Sequence, residues 1–264
     1  MRKRLLKLGA FVVAGALCGA LATPVLAEEE KPSADFTVGL YSQYIWRGWE
    51  LSRDSMVIQP SMTVSYKGFA ANVWGNLDTD LHENLDGNET SDWNETDFTL
   101  SYDGSVGKVG YSLGYIYYDL AGVGSDTQEV YAGLCLDTLL APTLTVYRDF
   151  DAAAGWYITL GVSHSFPITE KLSLDLGAQV SYWDVDDEDT YADPDDPGDE
   201  YSDFHDAILS ASMSFPLGEY FTITPELYYV FPLSDDAEDF MEAESVSGDD
   251  DDFIYGGVSL SFAF

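Results

Sequence analysis

Apolar and polar residues alternate with a period of two along most of the chain. In the segment 172–183, even positions read Leu, Leu, Leu, Ala, Val and Tyr, whereas odd positions read Ser, Asp, Gly, Gln, Ser and Trp. Segments near Val109, Ala207 and Ile254 repeat this pattern. Because successive side chains of a strand point to opposite faces, the pattern predicts β-strands with one apolar and one polar face. Helical periodicity of comparable strength is found nowhere after residue 27.

Twelve such runs divide the chain after residue 27. Each is about 10 to 13 residues long, which exceeds the ~5–6 of globular strands and approaches the ~9–11 of a tilted transmembrane strand. The facing of the run from Thr143 to Phe150 is ambiguous, because Val146 and Tyr147 both suit a lipid-facing position. The twelve runs start near Phe36, Met56, Phe69, Trp93, Val109, Thr127, Pro142, Gly155, Leu172, Phe204, Phe221 and Asp252.

Short and long connections alternate between the runs. The short ones include 67–68, 104–108 and 138–141, and three of the long ones, 79–92, 184–203 and 232–251, are strongly acidic. Short turns at one end and long loops at the other are typical of outer-membrane barrels, with the turns on the periplasmic side. An even strand number then places both termini in the periplasm.

A soluble β-sandwich or lipocalin-like barrel has the same alternation with its apolar face turned inward. Three features favour a membrane barrel instead: the chain ends on Phe264, the polar face is rich in Gly, Ser, Thr, Tyr and Gln, and aromatic residues gather near strand ends. We therefore predict an all-β, transmembrane, antiparallel up-and-down barrel of about twelve strands. We expect outer-membrane lipid around it and insertion by the barrel-assembly machinery through the C-terminal strand ending in Phe264.

The N-terminus has the pattern of a cleaved signal peptide. Arg2, Lys3, Arg4 and Lys7 precede an apolar stretch, and small residues before residue 28 offer a cleavage site. A transmembrane anchor is the alternative, but the apolar stretch is short and acidic residues follow it. We predict a signal peptide at residues 1–27 and one barrel domain at residues 28–264.

The chain is very acidic, with 47 Asp and Glu against 11 Lys and Arg and a formal net charge of −36. Such a surface repels phosphate backbones, so we expect no nucleic-acid partner. The acidic loops admit two readings, a solvated segment kept soluble by its charge, which we favour, or weak Ca²⁺ binding. The segment Asp184 to Asp189 lacks the glycine at the sixth position of an EF-hand loop. We expect no cofactor beyond weak Ca²⁺ at these loops.

Residues 41–48, which read YSQYIWRG, precede Gln59-Pro60-Ser61 and then Gly75-Asn76. These motifs resemble the TorF family of outer-membrane porins over about 40 residues; the rest of the chain matches only in architecture. The resemblance implies an outer-membrane barrel and a channel, and it implies no substrate.

Arg47 shares the inward parity of Tyr41 and Gln43, and we place it at the extracellular end of the first strand. Structural pairing with an acidic loop is the favoured role for this arginine, and shaping a constriction is the alternative. A carboxylate that faces lipid is energetically unfavourable, so we expect Asp175 and Glu226 to point into the lumen. With few basic residues to neutralise them, they would favour the passage of cations. The pore-lining candidates are Gln43, Arg47, Gln59, Asn72, Asn76, Asp175, Gln179 and Glu226.

Catalysis is not expected. The histidines are His82, His164 and His205, and none lies in a motif that would pair it with a nucleophilic serine. We therefore predict a porin-like outer-membrane channel for passive diffusion of small solutes, with a preference for cations. The alternative is a non-conducting barrel with a structural or surface-interaction role, because side chains and infolded loops can fill a lumen of this size.

Overall fold

The computed structural model describes residues 31–53, 55–83, 89–121, 125–248 and 250–264. The predicted signal peptide, residues 1–27, lies outside the described residues. In chain order the strands are β1 (Ser33–Tyr41), β2 (Ile45–Trp46), β3 (Trp49–Glu50), β4 (Val57–Tyr66), β5 (Phe69–Glu83), β6 (Glu89–Val106), β7 (Val109–Asp119), β8 (Thr127–Leu136), β9 (Thr143–Asp149), β10 (Gly155–Pro167), β11 (Ser173–Val185), β12 (Ser202–Met213), β13 (Phe215–Leu217), β14 (Phe221–Pro232) and β15 (Phe253–Ala263), and helix α1 (Asp235–Glu244) lies between β14 and β15.

Twelve long strands close into an antiparallel barrel. Strands β4 to β11 each pair with the next strand in the chain, β12 pairs with β14, and β14 pairs with β15. The barrel closes where β1 pairs with both β15 and β4, with Asp35 opposite Ala263 and Tyr41 opposite Gly257 on the β15 side. The backbone of Phe264 continues this seam with two hydrogen bonds to Ala34. The predicted twelve-strand, up-and-down fold is confirmed.

The outer face of the barrel is apolar and its inner face is polar. Leu176, Val180 and Leu209 are exposed on the outside, whereas Ser181 and Ser212 are buried inside. An apolar outer band of this kind is the arrangement of a barrel that faces lipid. The structure also fixes the facing of β9, because Tyr147 is buried in the interior and Val146 points outward.

The two ends of the barrel differ. Turns such as 67–68 and 107–108 are brief at one end, here the short-turn end, whereas the opposite long-loop end carries longer connections. One of these, the connection between β1 and β4, carries β2 and β3 into the lumen, and we refer to its residues 42–53 as the plug hairpin. The sequence pattern did not predict this small hairpin, and it also missed the short β13.

Helix α1 is a second element that the sequence pattern did not predict, since the acidic segment 232–251 was read as a loop. The hydroxyl of Ser234 accepts a hydrogen bond from the amide of Ala237 at 3.1 Å, which caps the first turn. Asp235, Asp236 and Glu238 in that turn favour the helix dipole. Phe240 is buried toward the lumen, so the helix packs over the long-loop end. Among the described residues, no helix is long and apolar enough to cross a membrane.

Candidate lumenal site

The plug hairpin turns on Arg47 and Gly48. Trp46 pairs with Trp49 across a two-residue turn, and both central residues have positive φ, 44° for Arg47 and 97° for Gly48. A type I′ hairpin turn requires this combination, which is uncommon for a residue other than glycine. The prediction that Arg47 ends the first strand is therefore wrong. Strand β1 ends at Tyr41, and the chain then turns inward and brings Arg47 into the lumen.

Arg47 forms an ion pair with Glu129 on β8, and both side chains are almost fully buried. The second carboxylate oxygen of Glu129 accepts a hydrogen bond from the Tyr118 hydroxyl at 2.7 Å. The predicted pairing of Arg47 with an acid is thus present, although the partner belongs to the barrel wall rather than to an acidic loop. Removing one partner of a buried ion pair is strongly destabilising, because it leaves an uncompensated buried charge.

Aromatic rings surround the Arg47 guanidinium. Its central carbon lies 4.5 Å from the ring centroid of Trp46, 4.4 Å from that of Tyr157 and 5.6 Å from that of Trp183. These distances lie within the ~6 Å range of cation–π contacts. Trp49 stacks on Trp183 with centroids 5.0 Å apart and an interplanar angle of 1°. The lumen is therefore packed with rings at this level.

Further contacts fix the plug hairpin to its surroundings. The Gln43 amide donates to Glu50 at 3.0 Å, and the Glu50 backbone amide donates to the Ser245 hydroxyl just after α1 at 3.0 Å. His205 on β12 is fully buried, with one ring nitrogen 2.7 Å from the Arg47 carbonyl oxygen and the other 2.8 Å from the Tyr201 hydroxyl. These contacts give His205 a structural role in holding the turn.

Two of the remaining pore-lining candidates form a buried amide chain at the long-loop half of the lumen. Gln59 donates to Asn76 at 3.1 Å, and Asn76 donates to Asn94 at 2.8 Å. Asn94 points inward because the pairing of β5 with β6 shifts register between Asn76 and Leu77. Asn72, closer to the short-turn end, donates to the hydroxyls of Ser61 and Thr63, at 2.8 and 3.0 Å.

Asp175, Gln179 and Glu226 also have side chains on the inner face, but they lie in different settings. Asp175 and Gln179 on β11 are half-buried, in the part of the lumen toward the short-turn end. Glu226 is buried and accepts hydrogen bonds from Ser259 at 2.9 Å and from Tyr228 at 2.5 Å. The structure thus brings Arg47 and Gln43 together in the plug hairpin and leaves the other candidates distributed along the wall.

Carboxylates dominate the charge inside the barrel. Among the described residues, Arg47 is the one buried arginine or lysine side chain, whereas seven carboxylates are buried. These carboxylates are Glu50, Asp78, Glu95, Glu129, Asp149, Asp206 and Glu226.

A second arginine, Arg148, forms an exposed ion pair, in contrast to the buried pair of Arg47 and Glu129. Arg148 makes two hydrogen bonds to Asp186, of 2.8 and 2.5 Å, beyond the end of β11. Hydrogen bonding by this guanidinium lowers the pKa of the Asp186 carboxyl. Both side chains are partly exposed, so the pair contributes at most ~1 kcal/mol to stability.

The acidic segments show local hydrogen bonding. Aspartates cap turns within 186–201, as where Asp187 accepts from the amide of Asp189 at 2.8 Å. Within the described ranges, no three carboxylate, imidazole or thiol groups converge as a metal site. Most of the 79–92 side chains lie outside the described residues, and weak Ca²⁺ binding stays a prediction.

The sequence of residues 29–203 matches the profile of a family described as "Bacterial protein of unknown function (Gcw_chp)". The chain belongs to the Gcw_chp family. This match covers the plug hairpin and the strands from β1 to β11, including Arg47 and Glu129. Comparison with curated proteins found no match. The family assignment therefore carries no activity with it.

The barrel of this Gcw_chp protein is similar in structure to barrels of known proteins. A structure of the NanC porin matches with a TM-score of 0.54 and 10% identity, covering 87% of this chain and 98% of that chain. An anion-selective porin from Comamonas acidovorans has a TM-score of 0.36 and 10% identity, covering 89% and 99%. OmpT of Vibrio cholerae has a TM-score of 0.40 and 7% identity, covering 91% and 100%. The NanC likeness establishes the fold alone.

The pore-lining candidates predicted from the sequence did not include the wall residues that surround Arg47. Glu129, Tyr147, Tyr157 and Trp183 all have the inward parity of their strands, and that parity was readable for each except Tyr147, whose run had an ambiguous facing. Tyrosine and tryptophan suit an interface girdle as well as a lumen, so their type did not separate the two positions. The available signal was an acid at an inward position, Glu129, two residues into a predicted strand.

We expect Gly48→Ala to weaken insertion of the plug hairpin. The substitution places a Cβ at φ +97°, and this atom would lie 2.9 Å from the Met241 sulfur. The left-handed conformation costs about 1–2 kcal/mol for a residue with a Cβ, and the contact adds to it. Gly107→Ala is the matched control, because Gly107 also has positive φ but has nothing within 4 Å. Chymotrypsin cleavage at the plug hairpin should increase for Gly48→Ala and stay unchanged for Gly107→Ala; equal cleavage contradicts the packing described here.

Proposed function

We propose that this chain is a porin-like channel of the Gram-negative outer membrane for small solutes, with a preference for cations. The observation that carries the proposal is the excess of acids in the lumen. Among the described residues, seven buried carboxylates and the partly accessible Asp175 are found there with one buried arginine. Carboxylates along a pore attract cations and repel anions. The TorF-family resemblance of residues 41–48 and the NanC-like barrel agree with this proposal.

The proposed channel is closed at its long-loop half by the plug hairpin. Trp183 is fully buried, and Trp49 and Tyr157 are nearly so. The short-turn half is polar, and Asp175 and Gln179 there are partly accessible. Passive diffusion therefore requires the plug hairpin to move from its position against the wall. We also propose outer-membrane lipid around the apolar band and assembly through the strand that ends at Phe264.

The packed rings favour a second candidate, a non-conducting barrel with a structural or surface-interaction role. Purified protein in a planar bilayer under a KCl gradient separates the two candidates. The channel predicts discrete current steps with a reversal potential on the cation side. Silence across salts and voltages supports the non-conducting barrel.

Asp175→Asn tests the source of the cation preference. One charge at about 4 Å from a hydrated ion contributes ~1 kcal/mol in a water-like medium, so its loss lowers the cation-to-anion permeability ratio by up to about fivefold. Asp199→Asn, on an exposed loop, is the control and should leave the ratio near its original value. A ratio that is unchanged in Asp175→Asn contradicts the proposed role of the lumenal charge.

A further inference from the structure

The pocket that holds the Arg47 guanidinium belongs to the barrel wall. Four adjacent strands contribute one inward side chain each: Glu129 from β8, Tyr147 from β9, Tyr157 from β10 and Trp183 from β11. Tyr157 lies directly opposite both Tyr147 and Trp183 in the strand pairing. We call these four side chains the wall cage. The wall cage is therefore independent of the plug hairpin in its construction, although the hairpin fills it here.

We propose that the wall cage is a binding site for a small organic cation with a guanidinium group, and that Arg47 occupies it as an internal mimic of that ligand. The inference rests on the proposed channel function, whose solute class it narrows. A solute of this class would displace Arg47 from the wall cage and thereby release the plug hairpin.

The contacts of Arg47 define the chemistry that the wall cage accepts. The guanidinium carbon lies 4.4 Å from the Tyr157 centroid, 5.6 Å from that of Trp183 and 5.7 Å from that of Tyr147. Ring faces at these distances stabilise a planar, weakly hydrated cation. Glu129 adds one carboxylate contact. An anion would meet this carboxylate without a compensating base.

An inorganic cation fits the wall cage poorly. Ca²⁺ takes six to eight oxygen ligands, and the wall cage offers one carboxylate and two tyrosine hydroxyls. The Tyr157 hydroxyl donates to Asp206 at 2.8 Å, and the Tyr118 hydroxyl donates to Glu129 at 2.7 Å. These two hydrogen bonds also orient Tyr157 and Glu129 from the wall. The wall cage is therefore preorganised, which reduces the free energy lost on ligand binding.

The test uses methylguanidinium chloride as the probe and the neutral N-methylurea as its isostere. The variant Arg47→Ala/Trp49→Ala removes two of the hairpin side chains that cover the wall cage, the guanidinium inside it and the ring stacked on Trp183. All four wall residues stay in place. Quenching or enhancement of tryptophan fluorescence in detergent reports binding near Trp183, and heat-modifiable mobility in gels confirms the folded barrel. We expect saturable methylguanidinium binding at least tenfold tighter in this variant than in the native protein.

Adding Glu129→Gln to the same variant should weaken methylguanidinium binding at least tenfold, and N-methylurea should show no saturable binding to either protein. Equal affinity with and without Glu129, or equal affinity for the two probes, overturns the proposal. If the double variant does not fold, Arg47→Lys replaces it: a lysine lacks the planar group, so methylguanidinium should compete better than against Arg47, and no gain in affinity overturns the proposal.

Binding and conduction are measured separately, so the two proposals fail in distinguishable ways. Glu129-dependent binding to a barrel that never conducts supports the wall cage and contradicts the channel. Conduction of K⁺ without any Glu129-dependent binding of methylguanidinium supports the channel and overturns the wall cage.

Discussion

Replacing Trp183 by alanine is expected to release the plug hairpin and α1 from the lumen while the twelve-strand barrel stays closed. Trp183 is fully buried and stacks on Trp49 of the plug hairpin. It also contacts Phe240 of α1, with centroids 5.6 Å apart. Truncating a buried tryptophan typically costs about 3–5 kcal/mol. The backbone hydrogen bonds of β11 do not depend on the Trp183 side chain. The lost stability therefore concerns the packing of the plug hairpin and α1 inside the barrel.

The release can be measured by chymotrypsin cleavage at the plug hairpin and by current through planar bilayers. Trp183→Ala should be cleaved faster than the native protein and, under the channel proposal, should conduct with a higher open probability. Trp156→Ala is the matched control, because Trp156 precedes β10's Tyr157 but points outward and is 42% exposed. If both tryptophan variants resist chymotrypsin as the native protein does, the plug hairpin is not held by the ring stack.

Arg47→Ala is expected to have an effect of similar size for an electrostatic reason. It leaves the Glu129 carboxylate buried without its charge partner, and Glu129 has almost no exposed surface. Breaking a buried pair from one side typically costs about 3–5 kcal/mol. The cost of burying the unpaired Glu129 carboxylate disappears when water reaches it. We therefore expect the plug hairpin to leave the lumen rather than the barrel to unfold.

Chymotrypsin cleavage and the loss of Trp49 burial, followed by tryptophan fluorescence, measure the displacement in Arg47→Ala. Arg148→Ala removes the exposed partner of Asp186 and should change stability by at most ~1 kcal/mol. Combining Arg47→Ala with Glu129→Gln should recover part of the loss, since the unpaired charge is then gone. No recovery in the combined variant shows that the ring contacts of Arg47, rather than the ion pair, hold the plug hairpin.

Strand number and facing were predictable from local patterns. All twelve predicted runs correspond to barrel strands, and those predicted near Phe69, Val109 and Thr127 begin at those residues. Period-two alternation states which side chains share a face, because that property belongs to the strand alone. The run containing Tyr147 was the exception: valine and tyrosine both suit lipid, and the pairing with β8 and β10 was needed to turn Tyr147 inward.

The interior elements were not predictable in the same way. The plug hairpin contains strands of only two residues, and an apolar pattern of that length is too short to detect. Helix α1 carries acids on most of its surface and buries few side chains, among them Phe240 and Met241. Its stability comes from packing against the barrel mouth, which a single segment does not reveal.

The sequence by itself determined the twelve strands, the polar inner face and the acidic character of the protein, because alternation and charge are properties of neighbouring residues. Only the tertiary structure decided that Arg47 leaves the path of β1, enters the lumen and meets Glu129, 82 positions along the chain. That meeting depends on barrel closure, which sets Glu129, Tyr157 and Trp183 around one point. The physical reason is that strand pairing fixes faces locally, whereas the filling of a lumen depends on contacts between segments distant in the chain.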